Sequence, residues 1–201
     1  ILHGDPRAGR PEYDEQVLIH PAAERTLHQG RWHEGLVPLD TPDSAAAARR
    51  FNDAMAAFAA RTGDDGRPAF TLPLAACSAD ASLRALDLQH FAGWLDRAGH
   101  TDPSLRRYID YTMRDDYGAP PEAVSAWAGI HYFTCRNGEA ANAEAGAVLT
   151  WPQGLSALTG GLRSRLGDTR RLDGFAASIA ERRNGVTVTV VQDARRSLTV
   201  R

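Results

Sequence analysis

Three blocks in the second half of the chain combine aromatic rings, glycines and polar side chains. The blocks are residues 108–118, 125–133 and 148–154. An aromatic ring with a polar tip suits the wall of a small-molecule cavity, because it offers apolar area and a hydrogen-bonding group together. The composition of the blocks therefore predicts that they converge on one concave surface, with Tyr117, His131 and Trp151 on its border.

The second block contains the one residue suited to acid–base work. Trp127 and His131 are four positions apart, so they share a face if a helix persists through them, and Tyr132 follows at a predicted helix-to-strand junction. These side chains can line a substrate pocket, or they can form a packed aromatic cluster with a hydrogen-bonded histidine. The sequence leaves both interpretations open and assigns no catalytic residue.

The first block ends a predicted helix at Arg114-Asp115-Asp116-Tyr117-Gly118. It is either a helix end, with Gly118 left-handed and Arg114 paired to a carboxylate, or part of a pocket wall. No histidine or further acid stands near the two aspartates at ligand spacing, so we predict no metal site there. The histidines at 20, 28 and 33 also predict no metal site, because the alternation of a strand is expected to point residues 28 and 33 to opposite faces.

In this order the three blocks resemble the middle of bacterial FAD-dependent oxidoreductases of the flavin-containing amine oxidase superfamily. The resemblance runs weakly from residue 11 and strongly over residues 108–166. It implies a substrate-binding (cap) region of an enzyme that passes hydride from a small-molecule substrate to N5 of FAD. The substrate-contacting residues that it implies are Tyr117, Trp127, His131 and Tyr132.

The resemblance also implies that a turn in the third block comes close to the flavin. The turn consists of Trp151, Pro152, Gln153 and Gly154. The alternative is that Pro152 starts a helix and Trp151 fills core. No Gly-x-Gly-x-x-Gly follows a predicted strand, so the pyrophosphate site of FAD is expected on a missing FAD-binding domain. The chain alone is expected to bind no FAD and to be inert.

Composition narrows the function classes. The net charge of -2 does not favour nucleic acid, and no apolar run is long enough to span a bilayer. The chain contains no lysine, which excludes a Schiff base or a phosphate-loop lysine. Cys77 and Cys135 form either one disulfide or two free thiols. With no signal peptide, the resemblance implies the bacterial cytoplasm.

Hydrophobic spacing predicts an α+β fold, with a mostly helical cap region (residues 1–170), a small antiparallel sheet and a C-terminal β tail (residues 171–201). The predicted strands cover 16–20, 25–32, 175–182 and 186–192, and the predicted helices begin near residues 43, 87, 102, 120 and 153. Ile1 in place of Met and the β-like pattern at residues 198–201 predict a piece of a longer protein, and the uncovered tail predicts a homodimer. The alternative function is a self-contained, non-catalytic α+β binding or interaction domain.

Overall fold

The structure, a computed structural model, divides the chain into a first unit (residues 1–150) and a second unit (residues 151–201). It describes residues 2–3, 10–20, 22–136, 140–144, 146–167, 172–193 and 196–200. The chain is α+β, as predicted, and the strands in the described ranges all pair antiparallel. The boundary predicted at residue 170 refers to domains of a longer enzyme and stays a prediction.

The first unit carries the helical body. Its helices are α1 (Pro42–Ala59), α2 (Ala81–Arg84), α3 (Phe91–Arg97), α4 (Pro103–Tyr117) and α5 (Ala126–Thr134). Its strands are β1 (Leu2–His3), β2 (Glu12–Tyr13), β3 (Leu18–Ile19), β4 (Arg25–His28), β5 (Arg31–Glu34) and β6 (Val148–Leu149). Across the described ranges of the chain, no helix combines the length and the apolarity that crossing a membrane requires.

Side-chain caps fix where two of these helices begin. Thr41 Oγ1 accepts a hydrogen bond from the Ser44 backbone N–H at 3.1 Å, so α1 begins one residue before the predicted cap at Asp43 or Ser44. Asp102 Oδ1 accepts hydrogen bonds from two backbone N–H groups of the next turn, and Pro103 occupies the first helical position. The start predicted for α4 is therefore confirmed.

Two predicted helices begin later than expected. Residues Ala85–Leu88 form a 3₁₀ turn, and α3 begins only after His90, whose Nδ1 accepts a hydrogen bond from the Gly93 N–H at 2.9 Å. The start predicted at residue 120 is wrong because residues 121–123 form a turn, and Ser125 Oγ caps α5 by accepting from the Ala128 N–H. The predicted helix-to-strand junction near His131 is also wrong, because α5 continues to Thr134.

The core of the first unit gathers around α5. Phe51 of α1 meets Phe133 of α5 edge to face, with ring centroids 4.9 Å apart. Gly129 lets α5 approach α3, because a Cβ at Gly129 would lie 2.3 Å from the ring of Phe91. The buried residues of this core are Ala47, Phe51, Met55, Ala69, Phe70, Leu83, Phe91, Leu95, Leu105, Ile109, Met113, Val124, Ala126 and Ile130.

The small sheets of the first unit are a local hairpin and a pairing between its two ends. Strands β4 and β5 form a hairpin across Gln29 and Gly30, both at positive φ, so the predicted strand segment 25–32 turns at these two residues. The strand predicted at residues 16–20 is shorter, because Glu15–Val17 forms a 3₁₀ turn before β3. Strand β3 then pairs with β6, which brings Leu18 opposite Leu149.

The second unit contains α6 (Ser156–Ser164) and the strands β7 (Phe175–Arg182), β8 (Gly185–Asp193) and β9 (Arg196–Val200). The strands form one antiparallel sheet in the order β7-β8-β9, and Arg182 lies opposite Gly185 across the predicted turn. The predicted β tail is therefore confirmed. Leucines of the α6 segment and ring and aliphatic side chains of β7 remain exposed.

Candidate functional site

Tyrosines from two of the three blocks meet on one surface of the first unit. Tyr117, in the last turn of α4, lies edge to face with Tyr132 of α5, with ring centroids 6.5 Å apart. The Tyr117 hydroxyl donates a hydrogen bond to the Ala128 carbonyl oxygen at 3.0 Å, and the residue is 41 % exposed. The structure thus brings Tyr117 and Tyr132 together at a partly open surface.

An arginine holds the second tyrosine in place. The Arg136 guanidinium lies over the Tyr132 ring, 4.2 Å from its centroid, and also pairs with the Asp116 carboxylate at 2.5 Å. Burial raises the pKa of both Tyr117 and Tyr132, and the nearby Asp116 carboxylate adds to this shift. Both phenols therefore stay protonated near neutral pH and can orient a ligand through hydrogen bonds.

Trp127 and His131 share a face of α5, as expected for an unbroken helix. Their rings stack with centroids 4.9 Å apart and planes 16° apart. His131 is only 8 % exposed, and its Nε2 lies 3.0 Å from the Thr71 carbonyl oxygen, which requires a proton on Nε2. With this nitrogen engaged, the histidine stacks on one face of the Trp127 ring, and the indole is half-buried.

The charged end of α4 also has a defined arrangement. Gly118 adopts the left-handed conformation, with φ of 64°, and closes the helix, as in the helix-end alternative of the sequence analysis. Arg114 pairs with Asp110 one turn earlier, at 2.9 Å, while Asp116 pairs with Arg136. Of the two adjacent aspartates, Asp116 therefore serves a structural contact with an arginine.

The turn predicted near the flavin lies in the second unit. Gly154 has a φ of 75°, and its N–H donates to the Trp151 carbonyl oxygen at 2.7 Å. Pro152 and Gln153 form the exposed tip of this turn, and α6 begins at Ser156. Pro152 therefore does not start the helix. The predicted convergence of Trp151 with Tyr117 and His131 stays a prediction.

The expected geometry of the histidines is wrong in one respect. His28 and His33 lie on the same side of the β4–β5 hairpin, with ring centroids 6.2 Å apart. The chain reverses at Gln29-Gly30, so strand alternation does not run continuously between them. His33 Nδ1 lies 2.8 Å from the Asp40 carboxylate, and His20 Nε2 lies 3.0 Å from that of Glu15. Among the described residues no group of three side chains could hold a metal ion.

Sequence reasoning missed a cavity of about 490 Å³ beside Trp127. Its lining includes Arg67, Leu74, Cys77, Arg84 and Asp87. These residues come from four separate segments, and no spacing rule joins them. Among the residues that line this cavity, Trp127 is the one that the sequence analysis singled out as a candidate site residue. Cys77 and Cys135 are both buried and free.

No family model matches the chain, and no curated protein matches it either.

Proposed function

We propose that this chain is the substrate-binding portion of an FAD-dependent, amine-oxidase-like oxidoreductase. In the intact protein its role is to bind and orient a small-molecule substrate while a separate FAD-binding domain holds the cofactor. The proposal rests on the resemblance of residues 108–166 and on the surfaces that these residues form. The chain alone is then expected to have no oxidase activity.

The observation that carries the proposal is the uncovered apolar face of the second unit. Leu155, Leu158 and Leu162 recur at helical spacing and are 68 %, 45 % and 57 % exposed. Over residues 151–167 and 172–192, whose burial the structure describes, no residue of this unit is buried. Burying a leucine contributes about 1.5–3 kcal/mol, so a self-contained domain would bury such a stripe. A missing FAD-binding domain supplies a cover of the right kind.

The tyrosine surface of the first unit supports the same proposal. Tyr117 and Tyr132 form a partly exposed aromatic pair with neutral hydroxyls, and Arg136 holds Tyr132 in one orientation. Such a wall excludes water from one side of a bound substrate and fixes its polar group. Trp127, backed by His131, offers a second aromatic wall on α5. In this proposal all four residues position the substrate.

The residues of the Trp151–Gly154 turn fit a planar ring better than a phosphate group. Around the position of a Cβ on Gly154 no heavy atom lies within 4 Å, so a ring can approach the backbone there. When bound, FAD would supply the hydride acceptor. The contribution of this chain is a half-buried indole at Trp151 and an open glycine, and the phosphate-binding turn belongs to the missing domain.

A second candidate function is a self-contained binding or interaction domain without redox chemistry. It is favoured by the complete core of the first unit, in which each buried side-chain nitrogen and oxygen of the described residues has a hydrogen-bond partner. Satisfied buried polar groups are what the core of a self-contained domain requires. The two candidates differ in what covers the leucines of the second unit.

A pair of charged substitutions in the full gene product separates the candidates. Leu158→Glu places a charge on the α6 stripe, and Leu88→Glu places the same charge on the first unit, where Leu88 is 88 % exposed. We expect Leu158→Glu to lower flavin content and thermal stability, because it buries a charge in the domain interface. Leu88→Glu is the matched control and should change neither. Equal flavin content and equal stability of the two variants would argue against the proposed cover.

A further inference from the structure

The cavity beside Trp127 lies wholly within the first unit and has the size of a small-molecule site. Its volume is about 490 Å³, within the range of known ligand pockets. One side is formed around the 3₁₀ turn Leu74–Ala76, and the other around α2 and Asp87. The surface of this cavity combines two guanidinium groups with an indole.

The two arginines give the cavity its charge. Arg67 donates a hydrogen bond to the Ala75 carbonyl oxygen, which fixes its guanidinium against the 3₁₀ turn. Arg84 stands at the last residue of α2, is exposed, and forms no ion pair with the described residues. A guanidinium without a carboxylate partner is suited to bind one from a ligand through two parallel hydrogen bonds.

The apolar part of the cavity is flat and rigid. The Trp127 ring stacks on His131, and His131 is held by the Thr71 carbonyl oxygen. Leu74, 59 % exposed, lines the same cavity. The Phe70 ring also lies against Trp127, with centroids 5.5 Å apart, so the indole is fixed by two neighbours where it lines the cavity. A fixed indole can contact another planar ring there.

The Asp87 carboxylate partly offsets the positive charge of the cavity lining. Asp87 lines this cavity and also two smaller ones beside it, which places it on the ridge between them. The lining therefore carries two positive groups and one negative group. This excess of one positive group favours an anionic ligand over a cationic one.

We propose that this cavity binds a small planar monocarboxylate, with its carboxylate on Arg84 and Arg67 and its ring against Trp127. The inference does not rest on the proposed function, because neither FAD nor the second unit takes part. It assigns a ligand class to the cavity beside Trp127, which shares Trp127 with the proposed substrate surface and is lined by neither Tyr117 nor Tyr132.

Calorimetric titration of the 201-residue chain with three matched probes tests this assignment. The probes are phenylacetate, the neutral phenylacetamide and the cationic phenethylamine. We expect saturable binding of phenylacetate and weaker binding of the other two. Equal or tighter binding of phenethylamine, or no saturable binding of phenylacetate in the millimolar range, would overturn the proposal.

Two arginine variants locate the binding. Arg84→Gln should weaken phenylacetate binding about tenfold, as expected when a hydrogen-bonded charge pair is lost. Arg107→Gln is the matched control, because Arg107 is also an exposed arginine on a helix but does not line the cavity. Both positions are exposed, so both variants should fold. Equal affinity of the two variants would place the binding elsewhere and refute the assigned site.

Discussion

The substitution Gly129→Ala tests the close approach of α3 and α5. The added Cβ would lie 2.3, 2.5 and 2.7 Å from three atoms of the Phe91 ring. That ring is fully buried and stacks on Trp94 with centroids 5.8 Å apart, so it has little room to move. Overpacking of this kind costs about 1–3 kcal/mol, and we take the upper end because the obstacle is a fixed ring. The higher helix propensity of alanine than of glycine offsets about 1 kcal/mol of this cost.

The net expectation is a loss of about 2 kcal/mol in the free energy of unfolding of the first unit. For a unit of this size the loss corresponds to a fall in Tm of about 4–8 °C. Thermal melts followed by the helical signal in far-ultraviolet circular dichroism measure this fall in Tm. In Phe91→Leu the same substitution should cost less, because a smaller side chain faces the new methyl group.

Gly160→Ala is the control for this experiment. A Cβ on Gly160 would meet no heavy atom within 4 Å, so the substitution should not lower Tm. If Gly129→Ala is as stable as the parent chain, or if the cost is the same in the Phe91→Leu background, the argument from close helix packing is refuted.

Three further predictions concern pH, capping and association. Burial, with help from the Arg106 charge, lowers the pKa of His100 below its ordinary value of 6.5, so the folded state resists protonation. The free energy of unfolding should therefore be highest above pH 6.5 and should fall as the pH drops below 6.5. Urea titrations should show a weaker fall in His100→Gln than in the parent chain. An equal fall in both proteins would contradict the role of His100. Ser125→Ala should lower the free energy of unfolding in urea by about 1 kcal/mol, because α5 loses its cap. Ser125→Asp should lower it less, because aspartate can also cap a helix. Equal losses in the two variants would count against the capping role. Strands β7 and β9 are the edges of the tail sheet, so light scattering of the chain alone should show a dimer; a monomer at all concentrations would rule out pairing through the tail.

Local signals in the sequence predicted the elements that have their own start and stop residues. Asp102-Pro103 and Gly118 bracket α4, and the reversal before Gly185 joins β7 to β8. Each of these signals acts through the backbone of its own segment, so no distant contact is needed to read it.

Prediction of helix starts from the sequence was wrong where contacts between distant segments determine the local structure. The start of α5 was misplaced because Ser125, which pairs with His90 as an isolated bridge, caps the helix. Proline at residue 120 suggested an earlier start that the turn at 121–123 does not allow. Tertiary pairing overrides local preference at such positions.

The candidate site divides in the same way. The adjacency of Trp127 and His131 follows from helical spacing alone, whereas the cavity that Trp127 lines does not. Arg67 and Arg84 reach that cavity from different segments, and their convergence depends on how α2 packs on the core around Leu83. Residues brought together by packing alone leave no pattern in a single sequence.

The flavin content of the full gene product tests the central claim most directly. The protein should be purified without added cofactor, and its visible flavin absorbance should be measured before and after denaturation. The account predicts a yellow protein that releases close to one FAD per polypeptide. A colourless product that gains no flavin when incubated with FAD would contradict the claim that this chain serves a flavoenzyme.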